Sequence, residues 1–585
     1  MNQNVKTPQF DRAFDEYFSK LEFDEKGGEL RVCRFSGERF YVRPEDIAFY
    51  KRMRVSLPTL SPRERSRRRL AFSSGYYFFK VKSAASGKAI ITVYPPATPF
   101  KIYEHELWFS DRWNALDFGE SADPGLNFFD QFRKLQFAVP RPNLNSDSSN
   151  VNSDYTNDST HLKNCYIAFN AIEGENLYYF DCCLDNKDCV DCWSVSWSDT
   201  CYMSFGERLY KCFWCFYAFD CLESRFLYDC RNCEHCFMCS NLRNKKYHFF
   251  NKPLTKEEYE SKLKEINLGN YEVLQGYLSK FEELKRTAIY KENRNINAVN
   301  STGDWIQDSK NCHEVYYAYE SEHVAYSLGF FRHRDCYDMA GATNSELCYE
   351  VMTISAADNY GDKFSTFINN CRNVEYCDLC RNSHDLFGCI SLANKSFCIF
   401  NRQYSEGDYW AELDKIKTAM LERGEYGEFF PPELSPFPYN LSLATSYSGF
   451  GDIDTAKSYG YRIEDIQDEP EKEIGLETIP SSRLPTDIKD IDDSILSKVI
   501  FDEQNKKKFR LTGYELEFYR KHNLPLPRAH PLARMAEWRK MDIFKLNFEF
   551  YDRPCAKCGK AMRTSYHPEQ SYRVCCEKCY LSEVA

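Results

Sequence analysis

The sequence predicts a mainly β protein: a duplicated right-handed parallel β-solenoid with helical insertions, flanked by N- and C-terminal zinc-ribbon-like α+β modules. Three observations predict it. Short aromatic and cysteine runs such as LYYF, CYMSF and CFWCFYAF alternate with Asp, Asn and Lys, as brief strands turned at polar corners do. The block 158–251 returns as 305–401, with Cys221–Asn251 matching Cys371–Asn401 at an offset of 150. The two ends of the chain also match each other.

Bulk composition narrows the possibilities. At 585 residues the chain has room for three or four domains. Its 41 Tyr and 45 Phe favour strands, which pack large rings well. A net charge of −11 argues against non-specific coating of nucleic acid, which needs a basic surface. The N-terminus MNQNVKTPQFDRAFDEYFSKL is polar and has no signal-peptide core. No run of about 18 apolar residues appears, so no membrane span is expected. The 27 cysteines, odd in number and without an export signal, point to thiols and metal rather than disulfides. The expected location is cytoplasmic.

In chain order, residues 1–30 carry an N-terminal helix around Phe10–Leu21. Residues 31–115 form a ribbon module without metal, with a strand pair at 31–42 and a helix opened by Pro44, where Glu45 and Asp46 suit the positive helix end. A loop-rich lead-in (116–157) reaches the first solenoid repeat (158–251). A helical insertion (252–304), the second repeat (305–401) and a helix (402–420) follow. Residues 421–498 read as an acidic, Pro-containing connector with little core of its own, and 499–585 as a zinc-ribbon module. Lys508–Pro527 tracks 39–58 at an offset of 469, with Phe518-Tyr519 over Phe49-Tyr50. Cys555–Tyr580 tracks Ser83–Trp108 at an offset of 472.

Within the first repeat Cys182, Cys201, Cys221 and Cys239 stand 19, 20 and 18 residues apart, which reads as a coil of about 20 residues. Cys230, Cys233, Cys236 and Cys239 fall three apart and invite a rival reading as metal knuckles. The second copy decides between them. At an offset of 150, Cys230 and Cys239 remain Cys380 and Cys389, but Cys233 becomes Ser383 and Cys236 becomes Leu386. Leucine cannot replace a metal ligand, whereas a buried free thiol packs as a small hydrophobe. These cysteines are therefore core. Upstream the match weakens, and Lys163-Asn164-Cys165 meets Lys310-Asn311-Cys312 at 147.

Metal chemistry belongs to Cys555-x-x-Cys558-Gly and Cys576-x-x-Cys579. Two knuckles present four thiolates tetrahedrally to Zn2+, which replaces the core so short a segment lacks. Four protein ligands leave no open position for catalysis. The neighbouring Cys575 competes with Cys576 for the third place. The N-terminal copy has Ser83, Ser86, Glu104 and Leu107 at these positions, and packing must hold it.

Arg63, Arg65, Arg67, Arg68 and Arg69 form the leading candidate nucleic-acid-binding surface, against the plainer reading of a solvated face pairing with the protein's own carboxylates. Asp181, Asp188, Asp191, Asp199, Asp220 and Asp229 could serve a β-solenoid enzyme acting on carbohydrate, though Asp is also an ordinary corner residue. The favoured reading is a non-enzymatic, zinc-containing scaffold that binds a macromolecular partner, protein or RNA, with no catalytic residue assigned.

The strings CRFSGERFYVRPEDIAFY, TPFKIYEHELWFSDRW, NLRNKKYHFFNKPLTKEEY, GEFFPPELSPFPYN and CGKAMRTSYHPE carry a resemblance. The chain resembles a Cys-rich zinc-ribbon/β-solenoid family of candidate-phyla (Patescibacteria-like) bacteria, sometimes labelled CaiB/BaiF. In that family, the resemblance implies, Cys pairs stand near Ser61/Glu64 and around Ser83. This chain lacks them, so no N-terminal metal is implied here. No motif of the sequence supports the CaiB/BaiF activity.

Overall fold

The central chain is organised by a backbone habit with a period of three. From Asp158 to Met203, and again from Arg208 to Phe250, every third residue has φ between +44° and +58°. Asn164, Asp188, Asp191, Asp220, Asp229 and Asn232 occupy such positions, because Asn and Asp tolerate the left-handed region better than other L residues. After each of these six turns the next residue faces inward, here Cys165, Cys189, Cys192, Cys221, Cys230 and Cys233, all buried. Strands pair in parallel with partners 12 residues apart, as in Phe213–Arg225, Arg225–Phe237 and Glu234–Lys246. A turn every three residues and a repeat of 12 make a coil with four sides.

The computed structural model describes residues 6–341, 343–353, 358–465, 475–538 and 549–584. In it the first coil stack forms a 10-stranded sheet and the second an 11-stranded sheet. Each ends in one antiparallel pairing, at Lys252–Pro253 and Arg402–Gln403, followed by a helix, Lys256–Lys264 and Glu406–Glu422. Capping the last strand in this way covers an edge that would otherwise recruit another strand.

The expected coil of about 20 residues is corrected to 12. Interior positions recur every three residues, so the spacings of 18 to 20 counted sides rather than turns. Cys182 stands at a left-handed corner and is exposed, so it belongs to no interior column. Registry also explains the changing offset between the copies. One coil of the first stack is short, with Asp199 opposite Tyr210, and its counterpart is long, with Glu346 opposite Tyr360. The coils are 11 and 14 residues, and the difference of three is the step from 147 to 150.

Interior chemistry accounts for the exchange of Cys and Ser. The Cys233 thiol donates to the carbonyl of Arg231 at 3.3 Å, and the Ser383 hydroxyl donates to the carbonyl of Arg381 at 2.8 Å. Inward serines also accept an amide from the next coil, as Ser204 does from Cys215 at 3.1 Å. Both groups therefore satisfy the same backbone, and Leu386 fills the Cys236 place by packing alone.

The described chain divides into two compact units. Unit 1 joins 1–145 with 293–465 and 546–549; unit 2 joins 146–292 with 466–545 and 550–585. The N-terminal module thus belongs with the second stack and the C-terminal module with the first. In unit 1 the Pro44–Met53 helix lays Phe49 on Tyr337 with ring centres 3.9 Å apart, and Tyr50 meets Tyr349 at 5.3 Å. In unit 2 the Gly513–Lys521 helix brings Phe518 and Tyr519 to Tyr202, the counterpart of Tyr349, at 6.2 and 5.9 Å. The two docking contacts are copies of one another.

The expected connector needs correction over its first half. Tyr426, Phe429, Phe430, Leu434, Tyr439 and Phe450 are each no more than 1% exposed, and several join the core around Phe72, Phe128 and Phe132. Prolines keep this segment extended, but the rings between them bury large areas. The acidic stretch 466–474 lies outside the described residues.

Replacement within an interior column tests this account. Cys233→Ser should change the urea stability of the chain by less than about 1 kcal/mol, because the hydroxyl inherits the thiol's hydrogen bond. Leu227→Ala in the same stack should cost about 2–5 kcal/mol, as cavity formation does. Comparable losses from both would contradict the column assignment.

Candidate metal centre

The hairpin Tyr551–Pro554/Ala561–Thr564 ends in a tight knuckle. The Cys555 amide donates to Lys560 O at 2.8 Å, and the Gly559 amide returns to Cys555 O at 2.9 Å. Gly559 has φ +74°, which is why glycine stands there. The second pair, Cys576 and Cys579, sits where the strand Arg573–Cys575 gives way to the helix Glu577–Val584. This strand pairs in parallel with Ile289–Lys291. The knuckle thereby closes against chain from another part of unit 2.

The ligand atoms of Cys555, Cys558, Cys576 and Cys579 all lie within 4.8 Å of one another, so the group is positioned to hold a metal ion. Cys558 and Cys576 have their sulfurs 3.8 Å apart, and the Cys576 amide donates to the Cys555 sulfur at 3.3 Å. Cys555, Cys576 and Cys579 are buried and Cys558 is exposed. Desolvation opposes ionisation of Cys555, yet the amides of Cys558, Cys576 and Lys557 hold its thiol down to about 6. Cys579 is pushed up to about 12, chiefly by its hydrogen bond with Cys558. One sulfur thus ionises readily within the quartet, and a bound cation would favour the thiolate form of all four. Of the two adjacent candidates for the third place, Cys576 joins the quartet, whereas Cys575 is fully buried and lies outside it.

The knuckle occurs four times, and only this copy carries four thiols. At Ser83 the same amides close the turn: Ser83 N to Lys88 O at 2.8 Å, Gly87 N to Ser83 O at 3.0 Å, and Ala84 N to Ile102 O at 2.8 Å. Here the Ser83 hydroxyl donates to the Glu104 carboxylate, joining the positions that Cys555 and Cys576 hold in the other copy. Of the other two, the resemblance pointed only to Ser61 and Glu64. One runs through Cys33, Ser36, Ser61 and Glu64, with Cys33 N to Glu38 O at 2.8 Å and Gly37 N to Cys33 O at 2.9 Å. The other runs through Asp502, Asn505, His530 and Ala533. There the Asp502 carboxylate accepts the amides of Asn505 and His530 at 3.0 and 2.8 Å. A signal was available, since the offset of 469 carries Cys33 and Ser61 onto Asp502 and His530. In the structure glycine or Lys506 takes φ above +50° four residues after each first position.

The arginine run is corrected by its burial. Arg65, Arg67, Arg68 and Arg69 are each at most 3% exposed, so they offer no surface to nucleic acid. Arg65 and Arg69 both reach Asp338 at 2.9 Å; Arg68 binds Glu350 at 2.9 Å and Glu428 at 2.8 Å; Arg67 binds Glu64 at 2.8 Å. Arg63 is partly exposed and donates to Gly449 O at 2.8 Å. The reading of pairing with the protein's own carboxylates is right in its partners and wrong in its solvation. These partners lie up to 360 residues away in the chain.

The candidate aspartates are engaged one by one. Asp181 accepts Trp193 Nε1 at 2.9 Å, Asp188 accepts Tyr514 OH at 3.1 Å, and Asp191 binds Arg534 at 3.0 Å. Asp220 binds Arg208, Asp229 binds Arg243 at 2.9 Å, and Asp199 accepts Thr200 Oγ1 at 2.6 Å. No protein-family model, curated protein or solved structure matches the chain. Among the described residues no helix is long and apolar enough to cross a membrane.

Two variants separate the adjacent thiols. Cys576→Ser should strip the metal from the purified chain, read by inductively coupled plasma mass spectrometry, and Cys575→Ser should leave it in place. The reverse pattern would reassign the third ligand. Truncating a buried arginine gives a second check: Arg68→Ala should cost about 3–5 kcal/mol in chemical unfolding, because it strands Glu350 and Glu428. A loss below about 1 kcal/mol would place that ion pair in water.

Proposed function

We propose that the protein is a zinc-containing, non-catalytic scaffold: a duplicated solenoid whose two stacks each carry a ribbon module, working in a compartment that keeps thiols reduced. Its hand is taken as right-handed, as parallel crossovers between strands of L residues are. The carrying observation is that the knuckle at Ser83 closes with the same backbone hydrogen bonds around Ser83 and Glu104 as the knuckle at Cys555 does around four thiols. A module that keeps its shape without metal ligands uses the metal for shape. Four soft thiolates favour zinc, and the filled tetrahedron leaves no position for substrate.

The partner is a macromolecule, and protein is favoured over RNA because the arginine run is internal. Trp197, Tyr210 and Leu222, on successive coils of one side of the first stack, are 41%, 39% and 41% exposed, apolar area of the kind that protein contacts use. The purified chain should contain about one zinc and show no iron–sulfur absorbance. Capture from the native host, with mass spectrometry and RNA sequencing, should return a protein at constant ratio. Two or more metals per chain, or RNA alone, would sink this reading.

A further inference from the structure

The two docking contacts differ at one buried carboxylate. In unit 1, Asp46 sits in the first turn of the Pro44–Met53 helix, 1% exposed. Arg43 donates to it from its backbone N at 3.0 Å and from Nε at 3.1 Å, and the Tyr326 hydroxyl donates at 2.8 Å. In unit 2 the offset of 469 puts Glu515 in that place and Thr512 where Arg43 stood. Glu515 is as buried as Asp46. Its Oε2 accepts the Thr512 amide at 2.9 Å, and Oε1 meets no cation among the described residues. Among the described residues the cation that reaches it is Arg534, whose Nε binds both oxygens of Asp191 at 3.0 Å and whose Nη2 makes no hydrogen bond. Tyr179 of the stack supports it with a hydrogen bond, Tyr166 and Tyr178 lie nearby, and Tyr519 is one helical turn on; none brings a positive charge.

We propose that Glu515 is a proton-operated latch: the neutral carboxyl seats the Gly513–Lys521 helix on the first coil stack, and ionisation loosens it, while the Pro44–Met53 helix of unit 1, with its arginine kept, does not respond. A carboxylate buried without its own cation is costly, and the proton removes that cost. Burial pushes the Glu515 carboxyl up to about 7, with Arg534 opposing. Its folded value therefore lies above the unfolded value of about 4.5, so the seated helix is most stable below that value. The stability falls as pH rises from there through 7.

Hydrogen exchange of the intact chain, read peptide by peptide and corrected for intrinsic rate, tests the latch. Protection of Gly513–Lys521 should fall about tenfold between pH 6 and pH 8, and that of Pro44–Met53 should stay level. Glu515→Gln, neutral at every pH, should abolish the fall. Thr512→Arg, which restores the unit 1 pairing, should flatten it as well and serves if the first variant does not fold. A fall that persists in either folded variant, or that appears equally in both helices of the wild type, would overturn the latch.

Discussion

A left-handed residue at every third position is the constraint from which the rest of the molecule follows. Each such residue costs free energy on the order of 1 kcal/mol in the absence of glycine, and the cost is offset by the parallel ladders and by an interior that excludes water. The geometry sets what can stand inside. A four-sided coil of 12 residues admits one inward side chain per three-residue side, so the interior takes mostly Cys, Ala, Val and Leu, with Ile, Met339, Phe180 and inward Ser or Asn at single places. Cysteine suits it twice over, because it packs like an apolar group and its thiol finds the carbonyl two residues back. The spacing that looks like a metal motif is the spacing of the sides.

With three residues to a side, the outward positions repeat too, and they receive the docking modules. Tyr202 and Tyr349 hold equivalent places on the two stacks and meet equivalent rings of the two modules. Beneath those rings an arginine binds an aspartate at a corresponding place, Arg65 to Asp338 and Arg534 to Asp191. A buried pair of this kind adds little net stability, but it penalises any other register of helix on stack, because each misplaced charge would be left unpaired.

The sequence carried the duplication, the two module copies and the thiol quartet, because each rests on identities between positions that can be compared within one chain. The exchange of Cys233 for Ser383 and Cys236 for Leu386 separated core from metal without coordinates. The coil length was hidden, since spacings of 18 to 20 between cysteines on different sides mimic a period. A better signal lay in the repeated pair of Asn or Asp followed by Cys, as at Asn164-Cys165, Asp191-Cys192 and Asn232-Cys233. Arg65 to Arg69 misled for another reason. A charge run is judged solvated when its neighbours in sequence are polar, whereas its partners Asp338, Glu350 and Glu428 arrive from 269 to 360 residues away.

The two units reach the same architecture with different materials. Unit 1 anchors its module with Arg65, Arg68 and Arg69 on three carboxylates and adds the rings of Tyr426, Phe429 and Phe430 from the segment after its stack. Of that arginine run the C-terminal copy keeps only Arg534; Ala536, Glu537 and Trp538 stand where Arg67, Arg68 and Arg69 do. Its knuckle at Asp502 closes by hydrogen bonds, and its last knuckle gathers four thiols beside the strand Ile289–Lys291. A cation held there would tie this knuckle to the strand Ile289–Lys291, a link that unit 1 makes with Ile102–Tyr103 against Arg141–Pro142 and the buried Arg141–Asp378 pair at 2.7 Å. Where unit 1 closes its last knuckle with a Ser–Glu hydrogen bond and adds buried ion pairs, unit 2 keeps fewer arginine pairs and places a thiol quartet positioned to hold a metal ion.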